Sequence, residues 1–216
     1  MSAAAILLAA GSSSRLGRPK QLLEFQRETL IERAVRLAQE AGANPLLVVL
    51  GAHHEEIWAA VSKKNVVPVI NGAWSQGIAT SIHAGVRALE GLVPDISGAL
   101  ILTCDQPFLT ADHLRALLES FRTQATPCCV ASTYAGTRGI PAVFPRSAFV
   151  DLYALRGDQG ARLLFRDPSR TAVELPFPRG EVDIDWPIDL VHLEQSARRK
   201  HHPSHGEESA RAGQSD

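Results

Sequence analysis

Residues 7–23 read LLAAGSSSRLGRPKQLL, and this stretch decides the fold class. An apolar run ends in a glycine and three serines, and Arg15, Arg18 and Lys20 follow within six positions. Such a run predicts a buried strand, and small residues with cations directly after it are typical of a loop that binds an anion, most often a phosphate. The other interpretation of these residues is an ordinary surface loop whose cations are solvated.

Two common phosphate-binding motifs do not fit the spacing of this loop. The Walker motif requires G-x-x-x-x-G-K-[ST], whereas five residues separate Gly11 from Gly17. The dinucleotide fingerprint G-x-G-x-x-G has only one of its glycines here. Pro19 delays the next helix, so the loop is longer than a tight turn and long enough to wrap a triphosphate.

Short apolar runs alternate with amphipathic stretches along most of the chain. The apolar runs predict strands at residues 4–9, 46–50, 66–70, 99–103 and 128–132, and the amphipathic stretches predict helices at residues 29–41, 55–61, 78–89 and 111–121. This alternation is typical of βαβ units, and therefore of an α/β fold in which helices cover both faces of a mostly parallel sheet. Ligands of such sheets bind beyond the carboxyl ends of the strands, so the residues that follow each apolar run are the candidates for a site.

The pattern changes after about residue 134, where glycines and prolines separate short segments. We expect an inserted hairpin and a lid-like region here, with residues 182–184 returning to the sheet and residues 187–195 forming a closing helix. The last residues are polar and almost free of apolar side chains, which is typical of disorder. The sequence therefore predicts one domain over residues 1–195 and a disordered tail over residues 196–216.

The composition argues against several classes of protein. The chain has 216 residues with a formal net charge of −1, whereas nucleic-acid binders normally carry a basic surplus. It contains no apolar run of about 18 residues and no basic region before its first apolar run, so we expect neither a membrane span nor a signal peptide. Its odd number of cysteines, Cys104, Cys128 and Cys129, favours reduced thiols in a cytoplasmic protein.

The stretch LAAGSSSRLGRPKQLL resembles the signature loop of the nucleotidyltransferases of the molybdenum-cofactor type, L-A-[AG]-G-x-x-x-R-[ML]-G-x-x-K. The resemblance implies a three-layer, Rossmann-like nucleotidyltransferase fold in which this loop wraps the phosphates of an NTP. It assigns Arg15 and Lys20 to stabilisation of the leaving pyrophosphate. The nucleotide-binding residues that it implies are Leu8, Ala9, Ala10, Gly11, Ser12, Ser13, Gly17 and Lys20. The form LAAG resembles the cytidylyl branch, whereas guanylyl enzymes usually read LAGG.

Two acidic segments are candidates for a metal site. Asp105 follows the predicted strand in GALILTCDQPFL, and a carboxylate at a strand end near a phosphate loop is well placed to hold Mg²⁺. The alternative for Asp105 is a residue that starts a turn or caps a helix. The segment resembles the metal site C-D-x-P of the same family, which also makes Asp105 catalytic. VDIDWPIDL, residues 182–190, resembles D-[IV]-D-T-P-E-D-[LY], with Trp186 and Ile188 as departures, and this resemblance assigns Asp185 as the second metal ligand.

The middle of the chain resembles the segments that bind the two substrates. NGAWSQGIATSIHAGV, residues 71–86, resembles the element near the base and sugar, so Gly77 and Ser81 are expected to bind the nucleotide. Here the alternative is that these residues serve packing alone. On the acceptor side, the resemblance places Gly139, Ile140 and Pro141 in a pterin pocket and Asp158 at its border, although many relatives have His where this chain has Ile140.

The resemblance implies transfer of CMP from CTP to the phosphate of molybdopterin cofactor, with Mg²⁺ as cofactor and pyrophosphate as product. A molybdenum hydroxylase would then receive the dinucleotide cofactor. Other NTP transfers within the same fold stay open, namely guanylyl transfer to molybdopterin and activation of a sugar or alditol phosphate. A non-catalytic carrier of molybdenum cofactor is the alternative from a different class, and the absent fingerprint disfavours a nicotinamide oxidoreductase.

Overall fold

The computed structural model describes residues 3–13, 17–167, 169–184 and 189. Within these ranges the strands are β1 (Ala3–Ala9), β2 (Glu24–Phe25), β3 (Glu28–Thr29), β4 (Leu46–Leu50), β5 (Val67–Ile70), β6 (Gly98–Thr103), β7 (Cys129–Tyr134), β8 (Thr137–Pro145) and β9 (Ala172–Pro176). The α-helices there are α1 (Leu30–Glu40), α2 (His54–Val61), α3 (Ile78–Leu92), α4 (Ala111–Arg122) and α5 (Phe149–Ala154). Short 3₁₀ turns lie at Lys20–Leu22, Trp74–Gln76, Arg146–Ala148 and Ala161–Arg166.

The central sheet has seven strands in the order β5-β4-β1-β6-β8-β7-β9, with β2 and β3 forming a separate ribbon. The strands β5, β4, β1 and β6 run parallel, β8 is antiparallel to both of its neighbours, and β9 is parallel to β7. The expected mostly parallel α/β fold is therefore confirmed, and the expected hairpin is β7–β8, which lies within the sheet itself.

The side chains of β1 alternate between two apolar layers. Leu7 packs with buried residues of α1, α2 and α4 on one face of the sheet, whereas Ile6 and Leu8 pack with buried residues of α3 and α5 on the other face. All seven residues of β1 are buried, which explains why the strand is a continuous apolar run. None of the described helices is long and apolar enough to cross a membrane.

Helix α1 begins where its sequence can satisfy the free backbone donors of a helix start. The Thr29 side chain accepts a hydrogen bond from the Glu32 backbone N–H, and the Glu32 carboxylate accepts one from the Thr29 N–H, which together form a capping box. Thr110 caps α4 through a hydrogen bond from the His113 N–H. The two caps therefore fix the residues at which α1 and α4 begin.

One expected strand is wrong. Residues 182–184 form no strand, and the outer position beside β7 belongs to β9. The backbone N–H and C=O groups at the outer edge of β7 are paired by β9, which precedes residues 182–184 in the sequence, so this edge offers residues 182–184 no place. The Ile184 backbone N–H instead donates to the Asp105 carbonyl oxygen, 2.9 Å away. Apart from Asp189, which is helical, the expected helix at residues 187–195 lies outside the described residues, as does the tail over residues 196–216.

Candidate active site

The register of the sheet brings two strand ends together. Leu8 of β1 pairs with Thr103 of β6, so the loop after β1 and the segment after β6 leave adjacent, parallel strands at the same edge. We call residues 10–20 the β1 loop; its residues 14–16 lie outside the described part of the chain. The arrangement agrees with the general rule that ligands of parallel sheets bind at the carboxyl ends of the strands.

The β1 loop presents backbone donors. Among the described residues, none accepts a hydrogen bond from the backbone N–H of Gly11, Ser12 or Ser13. Ser13 adopts a left-handed conformation, with φ 52°, and its hydroxyl accepts a hydrogen bond of 2.9 Å from the Lys20 backbone N–H. Successive N–H groups around a left-handed residue form a concave anion site, so this backbone suits phosphate oxygens.

Asp105 is held by a cation and a hydroxyl. Lys20 Nζ donates to one carboxylate oxygen of Asp105 at 2.6 Å, and Thr103 Oγ1 donates to the other at 2.6 Å. The side chains of Lys20 and Asp105 are 23% and 16% exposed, so the ion pair is partly removed from water. The pair links the β1 loop to the end of β6.

Cys104 lies between these polar residues but faces the core. Burial, with a smaller contribution from the charge of Asp105, raises the pKa of the Cys104 thiol to about 12. A raised pKa disfavours the reactive thiolate, and Cys104 packs among the buried residues of one core layer.

A cavity of about 360 Å³ opens between the β1 loop, the end of β6 and the start of α3. Ten of the residues expected from the sequence line this cavity, namely Leu8, Ala9, Ala10, Gly11, Ser12, Lys20, Gly77, Ser81, Asp105 and Asp158. The lining residues that sequence reasoning missed are Gln21, Trp74, Ser75, Ile78, Thr103 and Cys104. The expected nucleotide side of the site therefore forms one continuous cavity.

Side-chain and backbone contacts fix the start of α3 at this cavity. Buried Asn71 donates through Nδ2 to the hydroxyls of Ser81 and Thr80, each at 2.9 Å. Gly77 has φ 108°, and a Cβ at this position would overlap the carbonyl group of Gly157. The close approach of two glycines brings the segment around Gly157 against α3.

This close approach explains the position of Asp158. The Ala79 backbone N–H donates to the Gly157 carbonyl oxygen at 3.0 Å, and the next residue, Asp158, lines the same cavity as the β1 loop. Sequence reasoning expected Asp158 beside Gly139, Ile140 and Pro141, but these three do not line the cavity. The structure thus groups Asp158 with residues of the β1 loop, and its expected role towards an acceptor stays a prediction.

The remaining acceptor-side residues have structural contacts in β8. The Ile140 carbonyl oxygen accepts hydrogen bonds from the Tyr134 hydroxyl at 3.0 Å and from Gln106 Nε2 at 3.1 Å. A Cβ at Gly139 would overlap that same hydroxyl, and the buried Pro141 accepts from Ser132 Oγ at 2.5 Å. Binding of an acceptor by these residues stays a prediction.

Four further site residues expected from the sequence do not line the cavity in the described part of the chain. Gly17 is exposed in a left-handed conformation, with φ 65°, and Ser13 lies beside the cavity without lining it. Arg15 and Asp185 lie outside the described residues.

The described residues group no three His, Cys, Asp or Glu side chains that would hold a metal ion by themselves. Mg²⁺ is usually bound by one or two carboxylates together with substrate phosphates, and a partly exposed Asp105 next to a phosphate-binding backbone fits that pattern. The hydrogen bond from Ile184 to Asp105 also brings the chain segment that ends just before Asp185 to this position.

A model of the MobA-like NTP transferase domain matches residues 5–173. The chain belongs to the MobA-like NTP transferase family. The matched range contains the β1 loop, Asp105 and every described residue that lines the cavity. The match therefore identifies the chain as a nucleotidyltransferase and places the cavity within the matched domain.

Three relatives show the range of names among similar proteins. The chain is 30% identical to purine catabolism protein PucB of Bacillus subtilis, over 88% of this chain and 96% of PucB. It is 32% identical to nicotine blue oxidoreductase of Paenarthrobacter nicotinovorans, over 74% of this chain and 80% of the relative. It is 23% identical to molybdenum cofactor cytidylyltransferase of Escherichia coli, over 86% of this chain and 92% of the relative.

Solved structures share the fold along nearly the whole chain. A homolog of Mycobacterium tuberculosis Rv0371c from Mycobacterium sp. strain JC1 is 28% identical, with a TM-score of 0.76 over 92% of this chain and 98% of the homolog. Rv0371c itself, in a complex with manganese, is 26% identical, with a TM-score of 0.73 over 91% of this chain and 100% of Rv0371c.

Proposed function

We propose that this MobA-like protein transfers CMP from CTP to the terminal phosphate of molybdopterin cofactor and releases pyrophosphate. The observation that carries the proposal is the junction of the β1 loop with Asp105, where backbone donors and Lys20 meet a carboxylate in one cavity. The likeness to the cytidylyltransferase of Escherichia coli and the sequence LAAG at residues 8–11 support the choice of CTP and of molybdopterin.

The transfer needs little covalent chemistry from the protein. An oxygen of the acceptor phosphate forms a bond to the α-phosphorus of CTP, while the bond from that phosphorus to the bridging oxygen breaks and pyrophosphate leaves with the electron pair. Charge builds on the leaving group, and we propose that the N–H groups of Gly11, Ser12 and Ser13 together with Lys20 stabilise it. Gly11, Ser12 and Lys20 line the cavity, and Ser13 follows Ser12 along the chain. We propose the same role for Arg15.

Lys20 exchanges partners in this proposal. In the structure Lys20 pairs with Asp105 at 2.6 Å, and a triphosphate in the cavity would offer Lys20 a second anion of higher charge. We propose that Lys20 turns to the phosphates, which makes the Asp105 carboxylate available to a cation. Each charge then keeps a partner of opposite sign, as a partly buried charge requires.

Asp105 is the described residue that would hold Mg²⁺, and we propose Asp185 as the second ligand. The ion would supply positive charge to the α- and β-phosphate oxygens. The manganese complex of Rv0371c shows that a relative of the same fold takes a divalent metal. The acceptor residues Gly139, Ile140 and Pro141 are part of the proposal, as is transfer of the product to a molybdenum hydroxylase.

The proposed preference for cytosine over guanine depends on the surroundings of Ala10. Ala10 is 4% exposed, and its carbonyl oxygen accepts from the Ala52 N–H at 3.1 Å, so its backbone is fixed beside the cavity. A Cβ at Gly51 would overlap the Cβ atoms of Ala10 and Trp74, which leaves the three residues in close contact. Ala10 lines the cavity, and we propose that its methyl group, at the position where the LAGG form has a glycine, favours the smaller pyrimidine base over a purine.

One assay tests the proposal. The protein is incubated with Mg²⁺, each of the four NTPs and one acceptor, either molybdopterin cofactor or a sugar or alditol phosphate, and pyrophosphate release is followed. We expect release with CTP and at least tenfold less with GTP. Greater pyrophosphate release with GTP than with CTP would make GTP the nucleotide substrate. Release only with a sugar or alditol phosphate would show that molybdopterin is not the acceptor. Because one relative is named an oxidoreductase, a parallel arm follows oxidation of a nicotinamide cofactor in the absence of NTP; activity only in that arm would overturn the proposal.

A further inference from the structure

Gln21 is a buried polar residue whose side-chain hydrogen bonds go to the β1 strand end and the β1 loop. It follows Lys20 in the 3₁₀ turn Lys20–Leu22 and is 1% exposed. Its Nε2 donates two hydrogen bonds, to the carbonyl oxygens of Ala9 and Gly11, each at 2.9 Å. Its Oε1 accepts a longer hydrogen bond, of 3.4 Å, from the Ser13 hydroxyl. A glutamine buried to this extent is uncommon, so its contacts call for an explanation.

The contacts of Gln21 determine which way the loop peptides face. In a trans peptide the carbonyl and the N–H point in opposite directions. When the Gly11 carbonyl is turned towards Gln21, the N–H of Ser12 in the same peptide is turned away from it. Ser12 lines the cavity, and its N–H has no acceptor among the described residues. Gln21 thus holds one side of the loop backbone and leaves the opposite side for a ligand.

The Ser13 hydroxyl extends the same network. It donates to Gln21 Oε1 and accepts from the Lys20 backbone N–H at 2.9 Å. The strand end at Ala9, the left-handed residue Ser13 and the base of Lys20 are therefore linked through one side chain and one hydroxyl. These contacts connect the described start of the β1 loop, residues 10–13, to Lys20 and Gln21 at its end.

We propose that Gln21 is a positioning residue that holds residues 10–13, the described start of the β1 loop, in the shape that binds a triphosphate. The inference rests on the proposed use of a triphosphate, but not on the choice of base or acceptor. A loop that is ordered in advance loses less conformational freedom on binding, and this raises affinity without any direct contact to the ligand. The alternative is a Gln21 that serves folding alone, by pairing with carbonyls that would otherwise be buried without donors.

Two substitutions separate these roles. Gln21→Met keeps the length of the side chain but removes the donor and the acceptor. Gln21→Glu keeps the shape and places a carboxylate against the two carbonyl oxygens. Gln39→Met is the matched control, since Gln39 Nε2 donates at 3.1 Å to the Asn65 carbonyl oxygen at an exposed position outside the site.

The probe is inorganic tripolyphosphate, which reports on the loop without a base or a sugar. Its dissociation constant is measured by calorimetry with Mg²⁺ for the full-length wild type and each variant, alongside KM and kcat for CTP and the melting temperature. We expect both Gln21 variants to weaken tripolyphosphate binding and to raise KM on the order of 10- to 100-fold, with a much smaller change in kcat. Gln39→Met should match the wild type.

The pH dependence gives a further readout. In the Gln21→Glu variant, a protonated carboxyl group at this position would again donate a hydrogen bond, and burial raises the pKa of a carboxyl group. The affinity of Gln21→Glu relative to the wild type should therefore recover as the pH falls from 8 to 5, whereas the relative affinity of Gln21→Met should stay constant.

The results distinguish a positioning role of Gln21 from a role in folding alone. Wild-type affinity and KM in both variants, with only the melting temperature lowered, would overturn the positioning role. If Gln21→Met does not fold, Gln21→Glu alone decides between the two results. A wild type that binds neither tripolyphosphate nor any NTP would overturn the proposed function instead, and this result would already be seen before any variant is made.

Discussion

At the scale of single residues, Asp105 is the side chain on which the proposed chemistry depends most. We expect Asp105→Asn to lower the rate of pyrophosphate release by about 100-fold or more, since a neutral amide removes the charge that would hold a divalent ion. The amide oxygen still accepts from Thr103, so the fold should persist. Asp112→Asn is the control, because the Asp112 side chain is 90% exposed in the first turn of α4. Full turnover by Asp105→Asn would contradict the metal assignment.

Thr103 limits the rotation of that carboxylate. Its hydroxyl donates to Asp105 at 2.6 Å, and Thr103→Val keeps the shape of the side chain while removing this hydrogen bond. We expect a roughly tenfold higher Mg²⁺ concentration for half-maximal turnover, because neighbours that orient a metal ligand contribute on this order to metal affinity. Thr103→Ser should restore the wild-type requirement. An unchanged Mg²⁺ titration in Thr103→Val would show that the hydrogen bond from Thr103 does not orient Asp105 for the metal.

At the scale of elements, the contact between the start of α3 and the segment around Gly157 shapes one wall of the cavity. We expect Gly77→Ala to destabilise the protein by about 2 to 4 kcal/mol, because φ 108° strains an alanine and its Cβ overlaps the Gly157 carbonyl. The displaced segment carries Asp158, so KM for the nucleotide should rise as well. Urea unfolding and steady-state kinetics measure the two effects.

Gly72→Ala is the control for this substitution, since a Cβ at Gly72 meets no atom within 4 Å. A variant Gly77→Ala with wild-type stability would show that the two segments separate freely. A rise in KM without loss of stability would show instead that the wall matters only to the ligand.

Helix α4 packs on the sheet through a histidine whose charge opposes folding. Burial lowers the pKa of His113 to about 4, while its Nε2 lies 2.8 Å from Ser132 Oγ and its ring stacks on Phe177. Between the unfolded value near 6.5 and about 4, the unfolded chain binds more protons, so stability is present above pH 6.5 and is lost as the pH falls towards 4.

We expect His113→Phe to weaken this pH dependence. The stacking on Phe177 can persist, but no proton is taken up on unfolding, so the slope of the melting temperature between about pH 6.5 and 4.5 should be smaller than in the wild type. Measurement of thermal unfolding across this range tests the prediction. Parallel slopes for the two proteins would show that other groups cause the loss of stability in acid.

At the scale of the whole molecule, the success of sequence-based prediction follows the strength of the local signal. The strands β1, β4 and β6 are buried almost throughout, so each is an uninterrupted apolar run and was predictable within one residue. Strand β9 at the edge mixes exposed and partly buried residues and has no such signal. Its position depends on the free edge of β7, which is a tertiary property.

The same distinction applies to the site. Asp105 and the glycine and serines of the β1 loop follow strand ends directly, so their convergence is a consequence of parallel topology. Thr103 carries a weaker signal, since it lies two positions before Asp105 and hence on the same side of the extended chain. Gln21 carries none, because its role comes from contacts with Ala9 and Gly11 that only the folded chain creates. The resemblance named Asp158 for the acceptor side, and its place in this cavity comes from the close approach of Gly157 to Gly77.

The end of the domain can be located by testing which residues near the end of the chain contribute to stability and turnover. Ile184 is fully buried among the side chains of one core layer and its N–H donates to Asp105, whereas the family match ends at residue 173. We propose that the domain ends near residue 195 and expect deletion of residues 196–216 to leave the melting temperature and turnover unchanged. Deletion from residue 182 onwards should lower both, because it removes Ile184 and the proposed ligand Asp185. Equal effects of the two deletions, measured by thermal unfolding and pyrophosphate release, would place an essential contact within residues 196–216.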